Sequence, residues 1–328
     1  MIHSKITFMK FMLFFLFACI CSASLKAQED LSKLFKDTSA KQGHVPVIAT
    51  FKSPQIINGQ SNETTPKNDL LFVVMHRFGD IAGSNGGVQN FFGLDNSSDI
   101  LIGFNYGISD KLSAGIGRVK GAPNGTGTNQ RQLVYANLKY RVLQQTEDNF
   151  LPVSVTLFGN STISVMEKLD LATSDAAFTN FSDRMSYVAQ VIIARKFNDR
   201  LSFAISPTYV RRNYVPFMDR NNTFALGMGG RLKFAPRMAI VADYFLNFRN
   251  EESKDYFLSQ KDFRFYSPLG VGLEIETGGH VFNLIFTNAT AILENQFIPN
   301  TSTTWTDGEF RWGFSISRTF TLSGDKKR

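Results

Sequence analysis

The sequence predicts an all-β fold, a 12-stranded antiparallel up-and-down transmembrane β-barrel of the outer-membrane type. Three observations predict it. From Asp69 onward, stretches of about ten residues alternate apolar with small or polar side chains at a period of two. The connections between these stretches alternate long and short without a break. Mean hydropathy is -0.11, and after the N-terminus nothing reaches the roughly 18 unbroken apolar residues of a spanning helix. A chain of this composition that crosses a membrane does so with strands.

The elements follow in order. Residues 1–27 read as a secretory signal peptide: a basic start with Lys5 and Lys10, an apolar core over Phe11–Ile20, and small residues ending at Ala27. Cleavage after Ala27 removes Lys5, Lys10 and Lys26, which takes the formal charge from +7 to +4. That surplus is too small for a nucleic-acid footprint. Both cysteines, Cys19 and Cys21, leave with the signal, so thiol chemistry is excluded from the mature chain. The alternative takes Leu16 to Cys19 as a lipoprotein box with Cys19 lipidated; bulky Phe17 argues against it. Residues 28–68 form a polar leader with Pro46, Pro54 and Pro66, expected to lie across the periplasmic mouth or to enter the lumen as a plug.

Twelve strands are expected at 69–78, 99–108, 112–120, 131–144, 152–164, 183–197, 201–212, 222–234, 237–248, 262–276, 280–289 and 308–320. Ile100, Ile102, Phe104 and Tyr106 make one oily face; Val134, Ala136, Leu138, Tyr140 and Val142 make another, as do Met238, Ile240, Ala242, Tyr244, Leu246 and Phe248. In 262–276, Phe263, Phe265, Leu269, Val271 and Leu273 oppose Arg264, Gly270, Gly272, Glu274 and Glu276. The first strand is ambiguous in facing, because Leu71, Val73 and Met75 compete with Leu70, Phe72 and Val74. Short turns between longer outward loops place both termini, including the basic tail 321–328, on the periplasmic side. Lipid offers no hydrogen-bond partner, so the sheet must close. Aromatic residues at strand ends (Tyr106, Tyr140, Phe197, Tyr209, Phe234, Phe248, Phe263) suit the two water interfaces. A soluble sandwich also alternates, but its strands run about six residues.

The closing run Arg311 to Phe320 alternates aromatic and small residues and ends on a ring, resembling the strand signal read by the barrel-insertion machinery. The words Phe51-Lys52-Ser53-Pro54-Gln55-Ile56-Ile57-Asn58-Gly59-Gln60-Ser61, Pro66 to Phe72, His76-Arg77-Phe78-Gly79-Asp80 and Phe91-Phe92-Gly93-Leu94-Asp95 resemble an uncharacterised family of Bacteroidota barrel proteins, domain of unknown function 5777. The resemblance implies a fold and a compartment. It brings no substrate or catalytic residue that could be carried over.

Chemistry is sparse. His3 leaves with the signal; His44, His76 and His280 are scattered. An outer-membrane lipid hydrolase needs a paired His and Ser on the barrel wall, and no His-x-Ser occurs, so an enzyme is not expected; His76 with a serine from another strand is the minor alternative. The oxygen-rich run Asp95 to Asp99 offers calcium ligands, but a bare five-residue run reads first as a solvated loop, and no metal or cofactor is expected.

The lumen carries the specific expectation. By strand parity, Lys139, Arg141, Arg231 and Lys233 face inward near the periplasmic end, at the height of Glu274 and Glu276; Asp243, Arg264 and Arg311 are further inward candidates. Either opposite charges cross-link the wall, or the basic cluster favours small anionic solutes. Inward glycines (Gly103, Gly107, Gly115, Gly117, Gly227, Gly229, Gly270, Gly272) are expected to leave open volume. The expected function is a passive or weakly selective outer-membrane channel for small solutes, anionic ones on the second reading of the basic cluster, monomeric by default, with lipid and the insertion machinery as partners. The alternative is a non-conducting scaffold that docks a partner through its loops or leader.

Overall fold

The computed structural model describes residues 44–121, 132–170 and 176–322. The signal peptide, Cys19, the first part of the leader, the glycine loop beyond Gly121 and the tail from residue 323 lie outside the described residues. The strands are β1 (Asp69–Asp80), β2 (Ser97–Ser109), β3 (Leu112–Gly121), β4 (Gln132–Leu143), β5 (Ser154–Ser164) and β6 (Met185–Lys196), then β7 (Leu201–Arg212), β8 (Asn222–Ala235), β9 (Met238–Asn247), β10 (Leu269–Thr277), β11 (His280–Thr287) and β12 (Arg311–Thr321). Each strand pairs antiparallel with its sequence neighbours, and β1 pairs with β12 from Asp69↔Thr321 to Asp80↔Arg311. The ladder therefore has no free edge, which is the condition for burying a sheet in hydrocarbon.

Parity fixes the faces. Ile102, Phe104 and Tyr106 point out while Leu101 and Gly103 point in, and Leu138 and Tyr140 point out while Lys139 points in. In β1 the odd residues turn inward: Leu71, Val73, Met75 and Arg77 are buried. An apolar lumen wall at this place has a cause, because Leu71, Val73, Met75, Leu101, Val119 and Leu133 pack with Ile292 and Leu293 from the β11–β12 loop.

The expected strand 262–276 is corrected at its start. β10 begins at Leu269; Phe263, Arg264 and Phe265 lie outside the sheet, and Arg264 is exposed rather than lumen-facing. Before them stands a helix not expected from the sequence, α1 (Glu251–Lys261), closed by Asp262 at a φ of 50°. Glu251 and Glu252 in its first turn and Lys261 in its last suit the helix dipole. Its few apolar side chains trace no stripe, so no helical period is legible. Phe257, Phe263 and Phe265 form an edge-to-face cluster, with ring centroids 5.1 Å apart for Phe257–Phe265 and 4.8 Å for Phe263–Phe265. The Arg249 guanidinium lies 3.6 Å over Phe265. The alternation of those rings imitates a strand but serves this loop cluster.

Asp219 anchors the cluster, 2.9 Å from Arg212 and 2.5 Å from Arg249, whose guanidinium also donates to Ser253 in α1. Burial by itself raises the Asp219 pKa, but the two guanidiniums outweigh it and hold the carboxyl below its ordinary value. A depressed carboxylate contributes stability above its unfolded pKa of about 3.9, lost as pH falls through the lowered value. Asp219→Asn is expected to lower hydrogen-exchange protection of the α1 amides by about 3 kcal/mol, as for a broken buried ion pair. Unchanged protection at neutral pH would show that the cluster does not hold α1.

Candidate functional site: the occupied lumen

Two inserts fill the barrel. The first is the leader. Pro46 forms a β-bridge with Thr146 in the β4–β5 turn. His44 stacks on Phe150 at 4.0 Å, and its Nδ1 lies 2.5 Å from Asp148. The chain then enters the lumen and reverses: Ile56 N–H donates to Gly59 O (2.8 Å), Ser61 N–H donates to Pro54 O (3.0 Å), and Gln55 bridges Gln60. This hairpin leaves past the β2–β3 turn, where Lys67 N–H donates to Asp110, and runs into β1.

The hairpin tip is held by the β9 carboxylate of Asp243. Its Oδ2 accepts the N–H groups of Ile57 (3.2 Å), Asn58 (2.6 Å) and Gly59 (2.8 Å), and its Oδ1 accepts Asn58 Nδ2 (2.7 Å). Asn58 Oδ1 in turn accepts Arg77 Nη2 (2.8 Å) and the Thr287 hydroxyl (3.1 Å). Nearer the short turns, Lys139 Nζ donates to the carbonyls of Pro54 (2.8 Å), Ser61 (3.0 Å) and Glu63 (3.4 Å), and Thr156 donates to Asn62 O (2.9 Å). Asp243 and Lys139 are thus hairpin contacts.

The second insert is the loop between β11 and β12, which the sequence reading took as an outward loop. It folds into the lumen, and α2 (Glu294–Asn300) is buried at every residue. Asp99 accepts Ile292 N–H (2.8 Å), Asn295 donates to Ser186 (2.6 Å), and Phe297 meets Phe245 edge to face at 5.1 Å. Arg77 also donates to the carbonyls of Ala289 and Ala291, and Gln60 donates to Glu294 (2.8 Å), so the two inserts bind each other. Burial raises the pKa of the Glu294 carboxyl. A helix apolar and polar on all sides carries no amphipathic signal, and Asn58, Arg77 and Glu294 were missed for want of a local one.

The expectation that inward glycines leave open volume is overturned; they are sockets. A Cβ on Gly107 would stand 1.7 Å from Pro66 O, one on Gly229 2.3 Å from Ile56, and one on Gly270 2.4 Å from Ile57. Tyr135 covers Gly103 and Gly117, and Phe245 covers Gly227. Between hairpin and wall a cavity of about 30 Å³ remains, lined by Gln60, Tyr135, Lys139 and Asn160 among others. It has room for a water or two and for no solute. A larger concavity of about 800 Å³ lies on the outer, lipid-side face over Ala114, Ala136, Leu138 and Gly159.

The other candidates are placed as follows. Arg231 Nε and Nη2 donate to Glu274 (2.7 Å) and Glu276 (2.8 Å), Arg141 lies 3.7 Å from Glu63, and Lys52 lies 3.4 Å from Glu276. Arg311 sits at the opposite end, 2.5 Å from Asp80. Lys233 is half-buried on the inward parity of β8. In this arrangement the basic groups are paired or bonded, as in the cross-linked reading, apart from Lys233 and the exposed Arg264. His76 faces outward between Phe78 and Phe314, at 4.2 and 5.6 Å, and its Nδ1 has no hydrogen-bond partner among the described residues. No Ser–His pair forms there. The Asp95 to Asp99 run diverges, with Asp95 exposed and Asp99 buried, and no metal-binding group of three or more His, Cys, Asp or Glu occurs among the described residues.

The comparison with curated proteins found no match. Solved structures similar to this one include the NanC porin (9% identity, TM-score 0.45, covering 76% of this chain and 98% of that one). An outer membrane channel from Pseudomonas putida F1 shares 14% identity at a TM-score of 0.44, over 79% of this chain and 98% of that one. A family profile described as a membrane-bound beta-barrel domain matches residues 51–320, and the chain belongs to that family, the domain of unknown function DUF5777.

Proposed function

We propose that this barrel is an outer-membrane channel for small solutes, shut in the described state by the leader hairpin and the β11–β12 loop bound to it, and that passage follows withdrawal of the hairpin toward the short-turn mouth and hinging of the loop once its Gln60 tie is lost. The signal-like N-terminus supports export, and the alternation of turn lengths supports a periplasmic short-turn end. The observation that carries the reading is the chemistry of the hairpin seat. Beside the buried Phe51, Ile56 and Ile57, its polar part is centred on one carboxylate and one ammonium, groups that water can satisfy once the segment leaves. Withdrawal also removes Glu63 from Arg141 and three carbonyls from Lys139. The short-turn half of the wall then presents Lys139, Arg141, Arg231 and Lys233 against Glu274 and Glu276, an excess of positive charge that favours small anions.

Planar-bilayer recording tests this. The whole mature chain is expected to be closed for most of the time, and deletion of residues 51–65 is expected to give sustained current with anion preference. Absence of current from the deletion, with the barrel still folded, would favour the second reading, a non-conducting scaffold, for which the filled lumen speaks directly.

A further inference from the structure

We infer that the lumen contains a peptide-binding site, of which residues 54–61 are a tethered occupant, and that the site binds the same ligand when it is presented as a separate molecule: a short peptide turn bearing a primary carboxamide.

The wall reads peptide chemistry rather than one particular side chain. Asp243 accepts three successive backbone N–H groups, Lys139 donates to three backbone carbonyls, and Thr156 donates to a fourth. Such groups occur in any peptide. Sequence selectivity comes from two features. The Asn58 carboxamide is held from both ends, its Nδ2 by Asp243 and its Oδ1 by Arg77 and Thr287. The aliphatic side chains of Ile56 and Ile57 fill hollows where the wall has Gly229, Gly270 and Gly272 in place of larger residues. Asp243 and Arg77 are buried on the wall and need a partner whenever the site is empty of water. The ligand leaves no chain passing through the ring, since its two flanks lie at neighbouring short turns, near Thr146 and Asp110. As a statement of which solute the open lumen admits, the inference rests on the channel reading; binding itself is tested without current.

The experiment folds the whole mature chain with a single specific protease site inserted after Lys67, next to the exposed Pro66 and Lys67, and cleaves it after folding. A fluorescent peptide of residues 51–65 is then added to the cleaved protein in detergent and its anisotropy is followed. Saturable binding, displaced by unlabelled peptide and weakened at least tenfold by Asn58→Ala in the peptide, is expected. Retention of the cleaved leader followed by slow exchange for labelled peptide supports the same conclusion. Failure of the peptide to bind after the leader has left, equal binding of the Asn58→Ala peptide, or unfolding of the barrel on loss of the leader would each overturn it. Conductance of the same cleaved sample is read separately, so a barrel that binds peptide but passes no current sinks the channel and leaves the binding site.

Discussion

Asp243→Ala is expected to free the hairpin. The substitution leaves the N–H groups of Ile57, Asn58 and Gly59 and the Asn58 amide without their acceptor. A buried donor left unmet costs about 1–3 kcal/mol, and removing one member of a buried charge network costs about 3–5 kcal/mol in total. Because 1.4 kcal/mol is a factor of ten, the docked-to-withdrawn ratio falls by roughly a hundredfold or more. Two readouts follow: hydrogen exchange at Ile57 to Gly59 speeds up by that factor, and open probability in single-channel recording rises with it. Asp243→Asn keeps the shape and one acceptor oxygen, so its effect is smaller. Exchange as slow as in the wild type would show that apolar packing, not the carboxylate, seats the tip.

Gly270→Val attacks the same seat sterically. A Cβ at Gly270 already meets Ile57 Cγ2 at 2.4 Å and Asn58 Nδ2 at 2.8 Å, and the two further methyl groups have nowhere to go while the hairpin is in place. Its β10 strand tolerates a β-branched residue. The expected result is a folded barrel with an expelled tip, and hence fast exchange and frequent opening like those of Asp243→Ala. Gly159 is the control: it points outward, and a Cβ there meets nothing within 4 Å. Gly159→Val is expected to leave both readouts unchanged. Equal behaviour of the two variants would show that the inward glycine is not a socket.

What the sequence made legible was set by the solvent outside. Hydrocarbon imposes a strict period of two and a closed ladder, so strand number, facing and turn alternation are written locally along the chain. Lys139, Arg231, Asp243, Glu274 and Glu276 could be turned inward on parity alone. The contents of the lumen were not legible, because they depend on pairs far apart in the chain: Asn58 meets Asp243 across 185 positions and Gln60 meets Glu294 across 234. A small residue on an inward face reads the same whether it borders a void or receives a side chain, and Gly229 and Gly270 proved to be of the second kind. The two-sided apolarity of β1 was the overlooked trace of an insert, since Leu71, Val73 and Met75 need Ile292 and Leu293 to cover them. Arg264 was misplaced because the rings around it alternate for the sake of a loop cluster with Phe257.

The two inserts differ in how they are sewn to the cylinder. The β11–β12 loop is stitched at both ends to strands at one rim, so it can hinge but never leave. The leader arrives and departs by the other rim, and its upstream side is held mainly by the β4–β5 turn, through the Pro46 bridge, backbone bonds of Val45 and Val47 and the His44 contacts, with Lys52 on Glu276 of β10. Extracting its described part breaks no rung of the wall. A tug on the upstream chain acts first on the His44 clasp and only afterwards on the Asp243 seat. On the channel reading proposed above, the molecule would be a one-sided stopcock, with its handle at a single rim and its far face blind to the control.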